Sequence, residues 1–241
     1  MTNTTTATGL AERAVLTILS ISRWTGTRHD RAIDADVATR HSASSGSTKT
    51  NKHLISTQSE PLWAAVQSTA REVVAYWRDV STPWMDGGTR LLPVASLTTV
   101  GTEIERRIEA FNRAVAAFLA DWPQIVERQR GRLGDLYCEG DYPVDIADRF
   151  GIKIAYMPVQ HGGDFRVDAS SDQLAALARS TDEAVEKALT KAARDPWIRL
   201  RDKVKELTEV LAQPGKIFRN SKVSNLRDLC DLLPKINVAS G

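Results

Sequence analysis

A chain of 241 residues with 42% hydrophobic side chains is long enough to bury a substantial core, as one large domain or two small ones. Its 32 basic and 30 acidic side chains leave a formal charge of only +2, which excludes a protein that coats nucleic acid over its whole surface. The charge is segregated, however: residues 187–241 hold 12 of the basic and 6 of the acidic side chains, a net +6, against −4 for the rest.

Residues 1–13 read as a disordered tail and 14–241 as a single α+β domain. Leu10 to Ile21 is interrupted by Glu12 and Arg13 and is too short and polar for a signal peptide or a membrane span. Ala14 to Trp24 is rich in β-branched and aliphatic side chains and is expected to be a strand, with a helix as the alternative. Asp34 to His41 suits a short helix, and Ser42 to Thr50 reads as a mobile polar loop. From Pro61, which suits a first helical position, Trp63, Val66, Ala70, Val73 and Trp77 recur at helical spacing to about Asp79. Thr82 to Gly88 reads as a turn, and Leu91 to Pro93 as the anchor of the next helix.

That helix is expected over about 96–137. Ile104, Ile108, Phe111, Val115, Phe118, Trp122 and Ile125 fall on one apolar stripe, while Glu105, Arg106, Arg113 and Asp121 point elsewhere. Pro123 demands a break, which Asp121 is placed to cap, and Asp195, Pro196 and Trp197 repeat the device inside a second helical arm, about 172–211. Two long antiparallel helices, each interrupted once at a proline, are the expectation. Between them, Pro143 to Phe150 suggests a short helix, and Gly151 to Val159 and Asp164 to Ala169 suggest strands joined through Gly162 and Gly163. The fold class is therefore mainly α with a small sheet of two or three strands, the segment after Ala14 being the third. A last helix, 218–233, offers Val223, Leu226, Leu229, Cys230 and Leu233 for docking.

No convincing catalytic set emerges. Gly46 to Thr50 looks like the end of a phosphate-binding loop, but Thr48 and Ala43 stand where its two glycines belong. His29, His41 and His53 lack the spacing of metal ligands on a helix, and Cys138 and Cys230 are far apart, so neither metal nor cofactor is expected and a cytoplasmic setting fits. His161 to Asp164 brings a histidine, two glycines and a carboxylate together without an identifiable nucleophile, and reads as a turn whose backbone Asp164 bonds. Glu139, Asp141, Asp145 and Asp148 form an acidic cluster suited to a divalent cation, to paired acid-base chemistry or, for Asp141, to capping a short helix.

For binding, the basic C-terminal part offers Lys187, Lys191, Arg199, Arg201, Lys203, Lys205, Lys216, Arg219 and Lys222, as a solvated helix face or as phosphate contacts, with Trp197 available for stacking on bases. Trp84, in the turn, and Arg128, Arg130 and Arg132 are further interaction candidates, although three arginines at alternate positions cannot share one helix face.

The stretches KTNKHLI, PWMDGGTRLLP, Phe111 to Phe118, RLGDLYCEGDYP, GGDFRV and NLRDLCDLLPKIN together resemble a group of phage-encoded proteins of unassigned function. They are more loosely similar to a bacterial and phage domain often encoded near MoxR-type AAA+ ATPases. The resemblance spans about Leu16 to Asn237 and carries over no catalytic residue. It implies a phage setting, hence the host cytoplasm, and an ATPase-linked or DNA-metabolism role. The leading expectation is a non-enzymatic phage accessory protein that forms a homo-oligomer or docks on a larger assembly such as an AAA+ ATPase. Binding, annealing or protection of single-stranded nucleic acid, with single-stranded DNA as one such partner, in phage DNA metabolism is the alternative, and an enzyme built on the acidic cluster around Asp141 is the third.

Overall fold

The computed structural model describes residues 12–85, 88–165 and 167–212, together with Arg227 and Cys230. The expected N-terminal tail falls almost wholly outside the described residues, as do Val223, Leu226, Leu229 and Leu233 of the expected docking helix 218–233. In chain order the elements are β1 (Ala14–Ser22), β2 (Thr27–His29), α1 (Arg31–Arg40), β3 (Asn51–His53), α2 (Pro61–Asp79), β4 (Thr82–Trp84), β5 (Thr89–Pro93), α3 (Leu97–Ala120), α4 (Trp122–Leu133), β6 (Gly151–Pro158) and α5 (Ser171–Leu211). None of the described helices is long and apolar enough to cross a membrane. The chain divides into two compact units, Met1–Leu19 with Val74–Ile104 and Ile154–Gly241, and Ser20–Val73 with Glu105–Lys153.

The first unit is built on a sheet of order β4-β5-β1-β6. β1 and β5 run antiparallel, with Leu16 opposite Leu91 and Thr17 opposite Arg90. Strand alternation then separates two faces. On one, Ala14, Leu16, Leu91 and Trp84 pack in a single cluster with Val185, Ala188 and Ala192 of α5. On the other, the Thr17 hydroxyl donates to the Arg90 carbonyl at 3.2 Å and accepts from the Trp77 indole, in the last turns of α2, at 2.9 Å. A sheet covered on both faces needs apolar side chains at successive positions, and Leu91 and Leu92 supply them.

The second unit is an aromatic core. Trp63 meets Trp24, Phe118 and Phe150 at ring separations of 5.6, 5.4 and 6.3 Å, and Trp122 meets Phe118 at 5.3 Å. Beside it, β2 and β3 form a separate antiparallel ladder. Gly26 leads into β2 at φ +66°, and a Cβ there would lie 2.6 Å from Ile55 and 3.3 Å from Trp63, so glycine is required twice over. Tyr142 closes the core by donating from its hydroxyl to the Leu54 carbonyl at 2.9 Å, and burial pushes its pKa up to about 12.

The expected architecture, proline-interrupted antiparallel helices backed by two or three strands, is corrected. The sheet has four strands because Thr82–Trp84 and Thr89–Pro93, read as a turn and an anchor, form a hairpin, with Thr82 opposite Leu91. Pro83 is tolerated because β4 lies at the sheet edge, where its missing amide proton breaks no ladder. The segment Asp164 to Ala169 is no strand among its described residues; a 3-10 turn at Gly162–Asp164 precedes α5 instead. α5 passes through Pro196 without ending. The other proline does sit at a boundary: α3 stops at Ala120 and Pro123 lies in the first turn of α4. Asp121 takes the capping position there, yet its carboxylate accepts from Arg128 at 2.7 Å rather than from the backbone. Pro143 to Phe150, expected as a short helix, shortens to a 3-10 turn at Ile146–Arg149.

Candidate functional site

α5 changes character along its length. It opens on a capping box, in which the Ser170 hydroxyl accepts from the Gln173 amide at 3.3 Å and the Gln173 side chain accepts from the Ser170 amide at 3.0 Å. Small residues then let the helix approach its neighbours closely. A Cβ on Gly162 would lie 2.8 Å from the Ala178 carbonyl oxygen, and the Gly162 amide donates to Asp182 at 2.8 Å. Asp164 accepts from the His161 amide and the His161 ring accepts from the Gly163 amide, so this glycine turn is a self-capped structural element.

Past Pro196, Arg199 holds the helix. Its guanidinium pairs with Asp195 and donates to the carbonyls of Arg78, Asp79 and Ser81 at 2.9, 3.0 and 2.7 Å. These oxygens lie at and just beyond the C-terminus of α2, where carbonyls lack intrahelical partners and positive charge is favourable. Arg90, buried in β5, reaches the same place, donating to the Arg78 carbonyl at 2.8 Å, the Ser81 carbonyl at 2.5 Å and the Ser81 hydroxyl at 2.8 Å, with its guanidinium 5.5 Å from the centre of the Trp77 ring. Burial first, and then the nearby charge of Arg199, draw the Arg90 pKa down to about 10, so it remains charged at neutral pH.

From Trp197 onward, Trp197, Leu200, Val204, Leu207 and Leu211 follow one another at steps of three and four residues, the a and d positions of two heptads. Trp197 is 59% exposed, Val204 44% and Leu211 65%, while Leu200 and Leu207 are half-buried. This differs from the stripe along α3 and α4, where Ile104, Phe111, Val115, Phe118 and Ile125 are buried and Ile108 and Trp122 half-buried. The stripe that the sequence advertises is used within the chain, and the exposed one is on α5.

The predicted site residues are placed as follows. Lys187 and Lys191 are exposed on α5. Arg201 pairs with Asp202, Lys203 with Glu206 and Lys205 with Glu209, all on the exposed surface, so local carboxylates offset much of the basic run. Lys216, Arg219 and Lys222 lie outside the described residues. Trp84, expected to be exposed in a turn, is 3% exposed in the first unit's core, because β4 turns it toward α5. Arg128 forks onto Glu60 at 3.0 and 2.8 Å, and Gln129 donates to the same carboxylate, itself 2% exposed, at 2.6 Å. Arg132 donates to Gln129 at 2.5 Å and to the His53 carbonyl at 2.7 Å. Arg130 lies 5.0 Å from the centre of the Tyr137 ring.

Of the acidic cluster, Asp141 forms ion pairs with Lys52 at 2.7 Å and Arg28 at 3.0 Å. Among the described residues no three His, Cys, Asp or Glu side chains converge as metal ligands. The α2 clamp at Arg90 and Arg199 was invisible in the sequence, since its acceptors are backbone carbonyls that no residue type announces. The α5 stripe was legible as a 3-4 spacing, overshadowed by the break expected at Pro196. No family model, curated protein or solved structure matches the chain.

Proposed function

We propose that this chain is a non-enzymatic assembly protein that pairs with a second copy of itself through the distal part of α5. The observation that carries the reading is the exposed heptad stripe Trp197, Leu200, Val204, Leu207 and Leu211. Apolar side chains at a and d positions are self-complementary, and burying them against an identical helix removes from water an area that a monomer leaves wet. Charge favours an antiparallel partner. With Trp197, Val204 and Leu211 at a and Leu200 and Leu207 at d, the flanking e and g positions hold Arg201 and Lys203 in the first half of the stripe and the neutral Thr208 and Val210 in the second. Antiparallel packing sets the basic flank of each helix toward the partner's neutral half, and parallel packing sets the two basic flanks side by side.

Two heptads are a short seam. With a few kcal/mol gained per buried side chain and several lost to association, a dissociation constant of micromolar order is expected. Sedimentation velocity across roughly 1–200 µM, a range that brackets such affinities, tests the reading. The wild type is expected to move from monomer toward dimer, and Val204→Glu to stay monomeric with an unchanged melting curve. A wild type that is monomeric throughout this range, or a Val204→Glu variant that dimerises as well as the wild type, would overturn the proposal.

A further inference from the structure

The second unit contains an open groove of about 510 Å³ whose chemistry is separate from anything on α5. Three guanidiniums line it, those of Arg23, Arg28 and Arg149, together with the indole of Trp24 and the carboxylate of Asp141. Trp24 is held as a wall by edge-on contacts with Trp63 at 62° and Trp122 at 89°. It is only half-buried, so part of the indole remains available to the groove.

The charge balance is decided by what neutralises Asp141. Lys52, whose side chain is 7% exposed, lies 2.7 Å from Asp141 and 3.3 Å from Asp30, and also donates to the Leu136 carbonyl at 2.7 Å. Burial pulls the Lys52 pKa down, but its hydrogen bonds to Asp141 and Asp30 outweigh this and hold it above the ordinary value, so the ammonium stays charged. Arg28 adds a second cation at 3.0 Å from Asp141. Two carboxylates thus meet two cations, and that quartet is neutral. Arg23 and Arg149 remain in excess: the polar contact of Arg23 is to the neutral Gln67 side chain at 3.0 Å, and Arg149 is exposed without an ion pair among the described residues. Among the side chains that line the groove, Arg28 and Asp141 are paired while Arg23 and Arg149 are not ion-paired with any described residue, which leaves positive charge beside the Trp24 indole.

We infer that this groove binds a nucleotide unit, its phosphate held by the guanidiniums of Arg23 and Arg149 and its base set against Trp24. Guanidinium forks match phosphate oxygens, an indole accepts any base on its face, and the volume suits a ligand of this size. A free nucleotide and one unit of a single strand present the same chemistry, and the experiment separates them.

The full chain is titrated by equilibrium dialysis at low ionic strength with thymidine 5′-monophosphate, thymidine, inorganic phosphate and a short oligothymidylate. The expected result is that the monophosphate binds, and that thymidine and phosphate bind at least about tenfold more weakly because each lacks one half of the recognition. Arg149→Glu and Arg23→Gln should each weaken the monophosphate by about tenfold with unchanged melting curves, since both side chains lie at the surface. An oligonucleotide that binds more tightly than the monophosphate identifies a strand as the ligand, and equal affinity identifies a free nucleotide. The inference is overturned if the monophosphate does not bind, if phosphate alone binds as tightly, or if neither variant changes the affinity. The Val204→Glu variant should bind the monophosphate like the wild type, so this inference and the pairing of α5 stand or fall separately.

Discussion

Replacing Arg199 by alanine removes three hydrogen bonds to main-chain carbonyls and the ion pair with Asp195. Hydrogen bonds from a charged donor are worth about 1.5–3 kcal/mol each. Their sum overstates the loss, because Arg90 still serves the Arg78 and Ser81 carbonyls and water can reach the partly exposed site. The remaining loss, including the favourable charge at the end of α2, is about 3 kcal/mol, which for a chain of this size lowers the melting temperature by roughly 6–12 °C. Arg199→Lys should fall between, since an ammonium keeps the charge but cannot span three carbonyls as a planar fork does. Thermal and urea melts followed by circular dichroism, with exposed Lys203→Ala as the control expected within about 0.5 kcal/mol of wild type, measure this directly. A phosphate-binding side chain on a solvated helix face, the alternative expected for Arg199, would leave the melt unmoved when removed. An Arg199→Ala melting temperature within about 2 °C of wild type would refute the clamp.

Gly26→Ala should destabilise the second unit by about 2 kcal/mol or more, seen as a lowered urea midpoint, because both the backbone angle and the Ile55 contact oppose a Cβ. Phe118→Ala, at the centre of the aromatic cluster, should cost about 3–5 kcal/mol in the same assay, with weaker tryptophan near-ultraviolet dichroism as a second signature. Acidification reads the Asp30 charge. The Ile33 amide bond, opposed by burial and reinforced by Lys52, holds its pKa below the ordinary 3.8, so the stability it contributes is complete above that value and is lost as pH falls through the lower folded one. Melting temperatures between about pH 5 and 2.5 should fall less steeply for Asp30→Asn than for wild type; equal slopes would remove Asp30 from the acid response.

What could be read in advance was local. Pro61 at the head of α2, the 3.6-residue period through Trp63, Val66, Ala70, Val73 and Trp77, and the β-branched run of β1 each declare themselves over one or two turns of chain. The hairpin of β4 and β5 did not, because Pro83 and the paired glycines spoke for a turn while β1, the partner that makes β5 a strand, lies more than 70 residues away in sequence. Pro196 misled for the opposite reason: the rule that proline breaks helices is local, and the clamp formed by Arg199 on the next turn is tertiary. The groove beside Trp24 draws Arg23 and Arg28 from one stretch and Arg149 from another far along the chain, so no spacing rule could gather them.

The contrast between the two parts of α5 sets how this protein can be altered. Ala188 and Ala192 are buried against the sheet, and a Cβ on Gly162 would clash with the same helix, so enlargement of the sheet-facing stretch is opposed by close packing. Downstream of Trp197 the same helix is open to water on its apolar side. In a library of random replacements, folding would filter the first stretch and recognition the second, so a single helix would record two different selections along its axis.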